Sequence, residues 1–169
     1  MKRRSALAVA AAAALAGCAS PRPGSRLPDG STVPIPAGQV APELVPEQHW
    51  LEELFAGTPV SVGAGPEGTL KVEVPLKYSF DPGRKAVKPP LEAVLGKVAA
   101  SLHRQKRARL LLAAPTPEQT ELLKGQMQTR GIAAFRIGSL PQRADAVELR
   151  LLQPPPGVEK LEDPAPRKS

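Results

Sequence analysis

The sequence is short of thiols and of aromatic rings. A single cysteine, Cys18, in 169 residues excludes an internal disulfide framework and leaves no second thiol to complete a metal site. Aromatic residues make up 3% of the chain, too few for the stacking platforms that hold single-stranded nucleic acid. The two histidines, His49 and His103, belong to no ligand cluster, so neither metal nor other cofactor is expected and both are read as surface residues. No Gly-x-Ser-x-Gly elbow occurs, and no serine has a histidine arranged to activate it. Glu118 and Glu121 share a helix face, but acid at a helix N-terminus is explained by the dipole, and no catalytic residue is assigned. Long apolar runs are missing too: residues 6–14 fall far short of the roughly 20 needed to span a bilayer.

What is present begins at the N-terminus. Met1-Lys2-Arg3-Arg4 is a basic head, followed by the apolar residues 6–14 and by Leu15-Ala16-Gly17-Cys18, in the order of an export signal. The tetrapeptide resembles the lipobox of bacterial lipoproteins. That resemblance implies that the Cys18 sulfur receives a diacylglycerol, that residues 1–17 are removed, and that the new amine is acylated. Each buried methylene contributes about 0.8 kcal/mol, so two or three acyl chains bind a membrane almost permanently where one would not. Neither Ala19 nor Ser20 is the aspartate that retains enterobacterial lipoproteins at the inner membrane. The lipid bilayer is therefore the first expected partner, and the expected location is the outer membrane, facing the periplasm. Loss of Lys2, Arg3 and Arg4 takes the formal charge from +7 to +4. The remaining basicity is scattered, and with the compartment it excludes nucleic acid. Arg104, Lys106, Arg107 and Arg109 are read as a solvated helix end rather than a lipid or glycan contact.

Four segments follow: the signal at 1–17, a Pro/Gly-rich linker at 18–46, a domain at 47–153, and a tail at 154–169 that is expected to be disordered. The linker and tail lack the bulky apolar residues needed for a core, and a polyproline-like linker at about 3.1 Å per residue would hold the domain tens of ångströms from the membrane. Within the domain, Trp50, Leu51, Leu54 and Phe55 have helical spacing. Residues 59–62 and 69–76 read as a hairpin; Leu70, Val72, Val74 and Leu76 alternate with Lys71, Glu73 and Lys77. Leu91, Val94, Leu95, Val98, Ala99 and Leu102 form one helical stripe opened by Pro89-Pro90. Residues 109–113 read as a buried strand. Thr116-Pro117-Glu118-Gln119 is a capping box for a helix that ends at Gly131, and residues 132–137 and 147–152 read as strands.

This order resembles the peptidoglycan-binding domain of OmpA-like proteins and of the peptidoglycan-associated lipoprotein. Tyr78-Ser79-Phe80-Asp81, the helix from Leu95 to Leu102, Arg130-Gly131-Ile132 with Arg136-Ile137, and Val147-Glu148-Leu149 carry the likeness. The resemblance implies an α/β (α+β) two-layer sandwich: about four mixed strands, at 69–76, 109–113, 132–137 and 147–152, with two helices on one face. Leu95, Val98, Leu102, Leu111, Leu123 and Met127 are the expected core.

The family's ligand residues are another matter. Its Gly-His-Thr-Asp segment, whose aspartate pairs with an amine of the peptidoglycan diamino acid, is replaced by Ala113-Ala114-Pro115-Thr116, with only Thr116 matching and Pro117 in the aspartate's place. Its helix arginine, a planar fork suited to a carboxylate, corresponds to Glu118 or Gln119. Thr116, Arg136 and Arg143 are the residual candidate ligand contacts, and Cys18 is the lipid anchor. The expected function is a non-catalytic, outer-membrane-anchored subunit of an envelope assembly with protein partners. The alternative is a peptidoglycan-binding tether using substituted residues, and an enzyme is the third, unsupported, reading.

Overall fold

The computed structural model describes residues 34–154 apart from 82, 84 and 85. Three helices, α1 Val45–Phe55, α2 Pro89–Arg104 and α3 Pro117–Thr129, alternate with five strands, β1 Ser61–Ala64, β2 Leu70–Pro75, β3 Arg109–Ala113, β4 Ile137–Ser139 and β5 Ala146–Leu152. The sheet order is β1-β2-β5-β3-β4. The last strand in sequence thus lies at its centre, antiparallel to both β2 and β3, while β3 and β4 run parallel. That topology follows from the connections: a crossover helix separates β2 from β3 and β3 from β4, as parallel strands require.

Alternation sets the faces. Leu70, Val72 and Val74 of β2 and Val147, Leu149 and Leu151 of β5 turn toward the helices, in register as Leu70 with Leu151, Val72 with Leu149 and Val74 with Val147. Against them α2 lays its whole stripe of Leu91, Val94, Leu95, Val98, Ala99 and Leu102, and α3 adds Leu123 and Met127. The result is the two-layer sandwich that the OmpA-like resemblance implied, with a short fifth strand, β1, and a third helix, α1, at one side. The core also reaches into the stretch read as linker: Val40 and Ala41 are buried and Leu44 is fully so.

Four local expectations are corrected. Leu111 was placed in the core, but Leu110 and Leu112 are the residues with no exposure, and Leu111 points to the other face. Three consecutive leucines carry no alternation, so the run could not report its own phase. A strand at 132–137 is replaced by a single 3-10 turn, Ala134–Arg136, with pairing delayed to Ile137. The delay brings Gly138 opposite Leu111, where a Cβ would come within 2.7 Å of the leucine's Cδ2. The hairpin strand begins at Ser61 rather than 59, and Leu54, expected on the apolar side of α1, is 39% exposed. In the hairpin connection Glu67 and Gly68 both take positive φ, 55° and 73°, and the Gly68 Cα lies so close to the Ile35 side chain that a Cβ would collide with it.

Candidate ligand site

The family's ligand residues would lie after β3 and at the start of α3. Here β3 runs into Ala113 and Ala114, both fully buried, and then into Thr116, the N-cap of α3. The Thr116 Oγ1 accepts from the Gln119 backbone N–H at 3.3 Å, and the Thr116 carbonyl accepts from the Thr120 hydroxyl at 3.2 Å. The capping box is only half formed. Instead of reaching back to Thr116, the Gln119 side chain is 2% exposed, and neither its Nε2 nor its Oε1 has a hydrogen-bond partner. Glu118 is exposed, and its carboxyl is held below the usual range by its own backbone N–H and by the Thr116 hydroxyl. At both positions matching the family's arginine, then, one side chain is acidic and the other is neutral and buried.

The loop 140–145 closes over this end of β3. The Leu140 N–H donates to the Leu112 carbonyl at 2.8 Å, the Arg143 N–H to the Ala114 carbonyl at 3.3 Å, and the Leu76 N–H to the Asp145 carbonyl at 3.2 Å. Arg143 fixes the loop to the sheet. Its Nη1 donates to Glu73 at 2.9 Å and to Glu148 at 2.7 Å, while Nε and Nη2 grip both oxygens of Asp145 at 3.2 and 3.0 Å. Glu73 and Glu148 stand directly opposite each other in the β2–β5 register, and like charges so placed repel. Glu148 is 1% exposed, so its charge must be matched locally, which Arg143 and Arg150 do, while Lys71 pairs with Glu73. Hydrogen bonds to Asp145 and Glu148 raise the Arg143 guanidinium above its usual value, and the reciprocal bond from Arg143 holds the Asp145 carboxyl low. A fork suited to a foreign carboxylate is thus engaged by three carboxylates of its own chain.

Arg136 is at the far end of the sheet. Its Nε donates to the Ala108 carbonyl at 2.9 Å and its Nη2 to the carbonyls of Leu102, Gln105 and Ala108 at 3.0, 2.8 and 2.7 Å, closing the C-terminus of α2. Burial pushes its guanidinium below the usual value. Thr116 and Arg143 therefore share one end, and Arg136 is separated from them by the length of β3, about 17 Å at 3.3 Å per residue. Cys18 lies outside the described residues. His49 and His103 are exposed as expected; the ring Nε2 of His103 meets the Arg130 carbonyl at 2.9 Å, joining the ends of α2 and α3. Sequence reasoning missed the Glu73–Glu148–Arg143 cluster. The alternation of Lys71 with Glu73 and of Glu148 with Arg150 was readable in each strand, but only the pairing register sets the acids face to face.

No protein-family model matches the sequence, and no curated protein matches it. Solved structures do. The fold is similar to that of a MotB-like protein from Desulfovibrio vulgaris, with a TM-score of 0.53 and 16% identity over 66% of this chain and 93% of that one. The periplasmic domain of Helicobacter pylori MotB is similar at a TM-score of 0.47 and 10% identity, over 62% of this chain and 88% of that one. At these identities the likeness is one of fold.

Proposed function

We propose that this chain is a non-catalytic lipoprotein of the outer membrane, anchored through acylated Cys18 and facing the periplasm, whose domain serves as an interaction subunit of an envelope assembly. On this reading residues 1–17 are the cleaved signal, the segment after Cys18 is the tether, and protein surfaces rather than a small ligand are what the domain engages. The observation that carries it is the fate of the arginine: Arg143, the only candidate at the ligand end able to clamp a carboxylate, is spent on Glu73, Glu148 and Asp145. Support also comes from the retained sandwich, whose fold is shared with the MotB-like protein, and from the lipobox tetrapeptide.

Two experiments test the two halves. Cys18→Ser is expected to release the protein from the outer-membrane fraction and to abolish acylation, read as a mass difference; a variant that still fractionates with the membrane at unchanged mass would refute the anchor. For the domain, each lost charge-assisted contact normally contributes about 1.5–3 kcal/mol, so loss of the family's aspartate and arginine should weaken peptidoglycan binding by roughly a hundredfold or more. The chain is expected to remain in the supernatant when mixed with purified sacculi. Saturable cosedimentation that Arg143→Ala removes would establish the tether reading in its place.

A further inference from the structure

Of the chain's five aromatic residues, Trp50, Phe55, Tyr78 and Phe80 lie in the core or pack against it, whereas Phe135 does not and is 67% exposed. It stands in the 3-10 turn Ala134–Arg136, and Ala133 and Ala134 are exposed with it. The turn is fixed in place. Arg136 donates through its side chain to the carbonyls of Leu102, Gln105 and Ala108, and through its backbone N–H to that of Ala133. The ring is therefore presented beside the C-terminus of α2, where His103, Arg104, Lys106 and Arg107 are exposed. Arg104 is paired with Glu47, and Arg107 donates to the Pro154 carbonyl at 3.5 Å, but both guanidinium groups belong to exposed residues. No acidic residue occurs at 93–117 or at 122–144, so the fold joins an apolar tip to a basic helix end.

We propose that this end of the domain is a second membrane contact: Phe135 enters the headgroup boundary of a bilayer that carries anionic phospholipid, and Arg104, Lys106 and Arg107 bind its phosphates. For proximity to a bilayer the proposal rests on the Cys18 anchor, and the described chain enters the domain at the same end of the sheet. The Ala41 N–H donates to the Gly68 carbonyl at 2.7 Å, just before β2; Leu70 at the start of β2 pairs with Leu151, and Leu152 beside it pairs with Arg109 at the start of β3. From β2 to β4, which Phe135 precedes, is three strand spacings, about 14 Å. A tether attached here brings Phe135 toward the bilayer and turns Thr116 and the start of α3 away from it. A protein partner fits this tip less well. One phenylalanine buries about 150–250 Å², well short of the roughly 800 Å² that a stable interface takes from each side, whereas insertion of a ring into lipid needs no complementary surface. An aromatic beside Lys and Arg is the makeup of an interfacial anchor: each cation near an anionic leaflet strengthens binding roughly fivefold, and burial of one ring roughly tenfold or more.

The test uses residues 19–169, which keep every described residue and so the whole core cluster, but lack the signal, whose apolar run would itself bind lipid, and the anchor. Its outcome is thus independent of whether Cys18 is acylated, which the fractionation of Cys18→Ser decides separately. Cosedimentation at millimolar lipid is measured with vesicles of phosphatidylglycerol and phosphatidylcholine in equal parts and with vesicles of phosphatidylcholine alone. Binding to the anionic vesicles is expected, at least about tenfold tighter than to the others and weakened by salt. Phe135→Ser should reduce it about tenfold, and Lys106→Glu with Arg107→Glu more than about twentyfold, while Leu54→Ser, a like change at an exposed apolar residue of α1, leaves it as it was. Urea midpoints of all three variants should stay close to that of the unaltered chain, since each altered side chain is exposed. Absence of binding to the anionic vesicles, equal binding to both kinds, or binding that survives both Phe135→Ser and the double charge reversal would overturn the proposal. Retention on purified sacculi in place of vesicles, lost with the same substitutions, would assign this end to the wall and overturn it equally.

Discussion

Leu112→Asp is expected to unfold the domain, and Leu111→Asp, one residue away, to leave it folded. Leu112 has no exposure, pairs with Leu149 of the central strand and belongs to the single core cluster. Its replacement removes a buried isobutyl group, a loss of about 2–5 kcal/mol, and puts a carboxyl into a cluster of buried hydrophobic residues, so a total of about 5 kcal/mol or more is expected. Domains of this size are stable by about 5–15 kcal/mol, and the loss takes most of that margin. Leu111 is half-buried on the opposite face and opposes Gly138, so its substitution should cost roughly 1 kcal/mol, in the range of ordinary surface changes. Urea denaturation of both variants decides the matter. Equal midpoints, or a larger loss at Leu111, would mean that β3 is in the other register and that the sandwich is assembled differently.

The same pair shows how much of the architecture was legible. Where apolar and charged residues alternate, as in β2, or recur at helical spacing, as in α2, the pattern states the buried face, and the structure agrees at Leu70, Val72 and Val74 and along the whole α2 stripe, whereas Leu76, expected to end the strand, falls in the 3-10 turn that follows it and is half-buried. Where the run is uniformly apolar, as at 110–112, existence of the strand was legible and its phase was not. At 132–137 the strand signal of Ile132 and Ile137 was overridden by a tertiary contact: Arg136 reaches the carbonyls that end α2, which holds 134–136 in a turn. No local propensity reports such a contact. The candidate site was legible chiefly through what it lacks, since Pro117 stands in the place of the aspartate, and Glu118 or Gln119 in that of the arginine, by which the resembling family holds its ligand. The carboxylates that occupy Arg143 come from β2, β5 and the loop 140–145, the farthest of them, Glu73, 70 residues from the arginine, and become neighbours only through the β2–β5 register.

Arg104→Ala is expected to cost more than Glu47→Gln, although the two residues form one ion pair. Arg104 donates through Nε at 3.0 Å and Nη2 at 2.6 Å to the two oxygens of Glu47, and its guanidinium lies 4.1 Å from the centre of the Trp50 ring, tying α1 to the end of α2. The partners are unequally buried: the Glu47 side chain is 5% exposed and that of Arg104 46%. Removing the arginine strands a carboxylate out of water and also takes away a cation–π contact, at about 3 kcal/mol in all. Removing the carboxylate charge instead leaves a guanidinium that water can reach, at about 1 kcal/mol. Burial by itself would raise the Glu47 carboxyl, but hydrogen bonds from Arg104, Ser101 and Gln105 outweigh it and hold the group below its ordinary value. A carboxyl lower in the folded than in the unfolded chain stabilises fully above the unfolded value of about 4.3, and that stability is lost as pH falls through the folded value. Glu47→Gln should therefore flatten the acid limb of the stability curve while changing the neutral limb only by its constant offset. Equal losses for the two variants at pH 7, or an acid limb as steep in Glu47→Gln as in the unaltered chain, would show that the pair is solvated and that α1 is held by its apolar contacts alone.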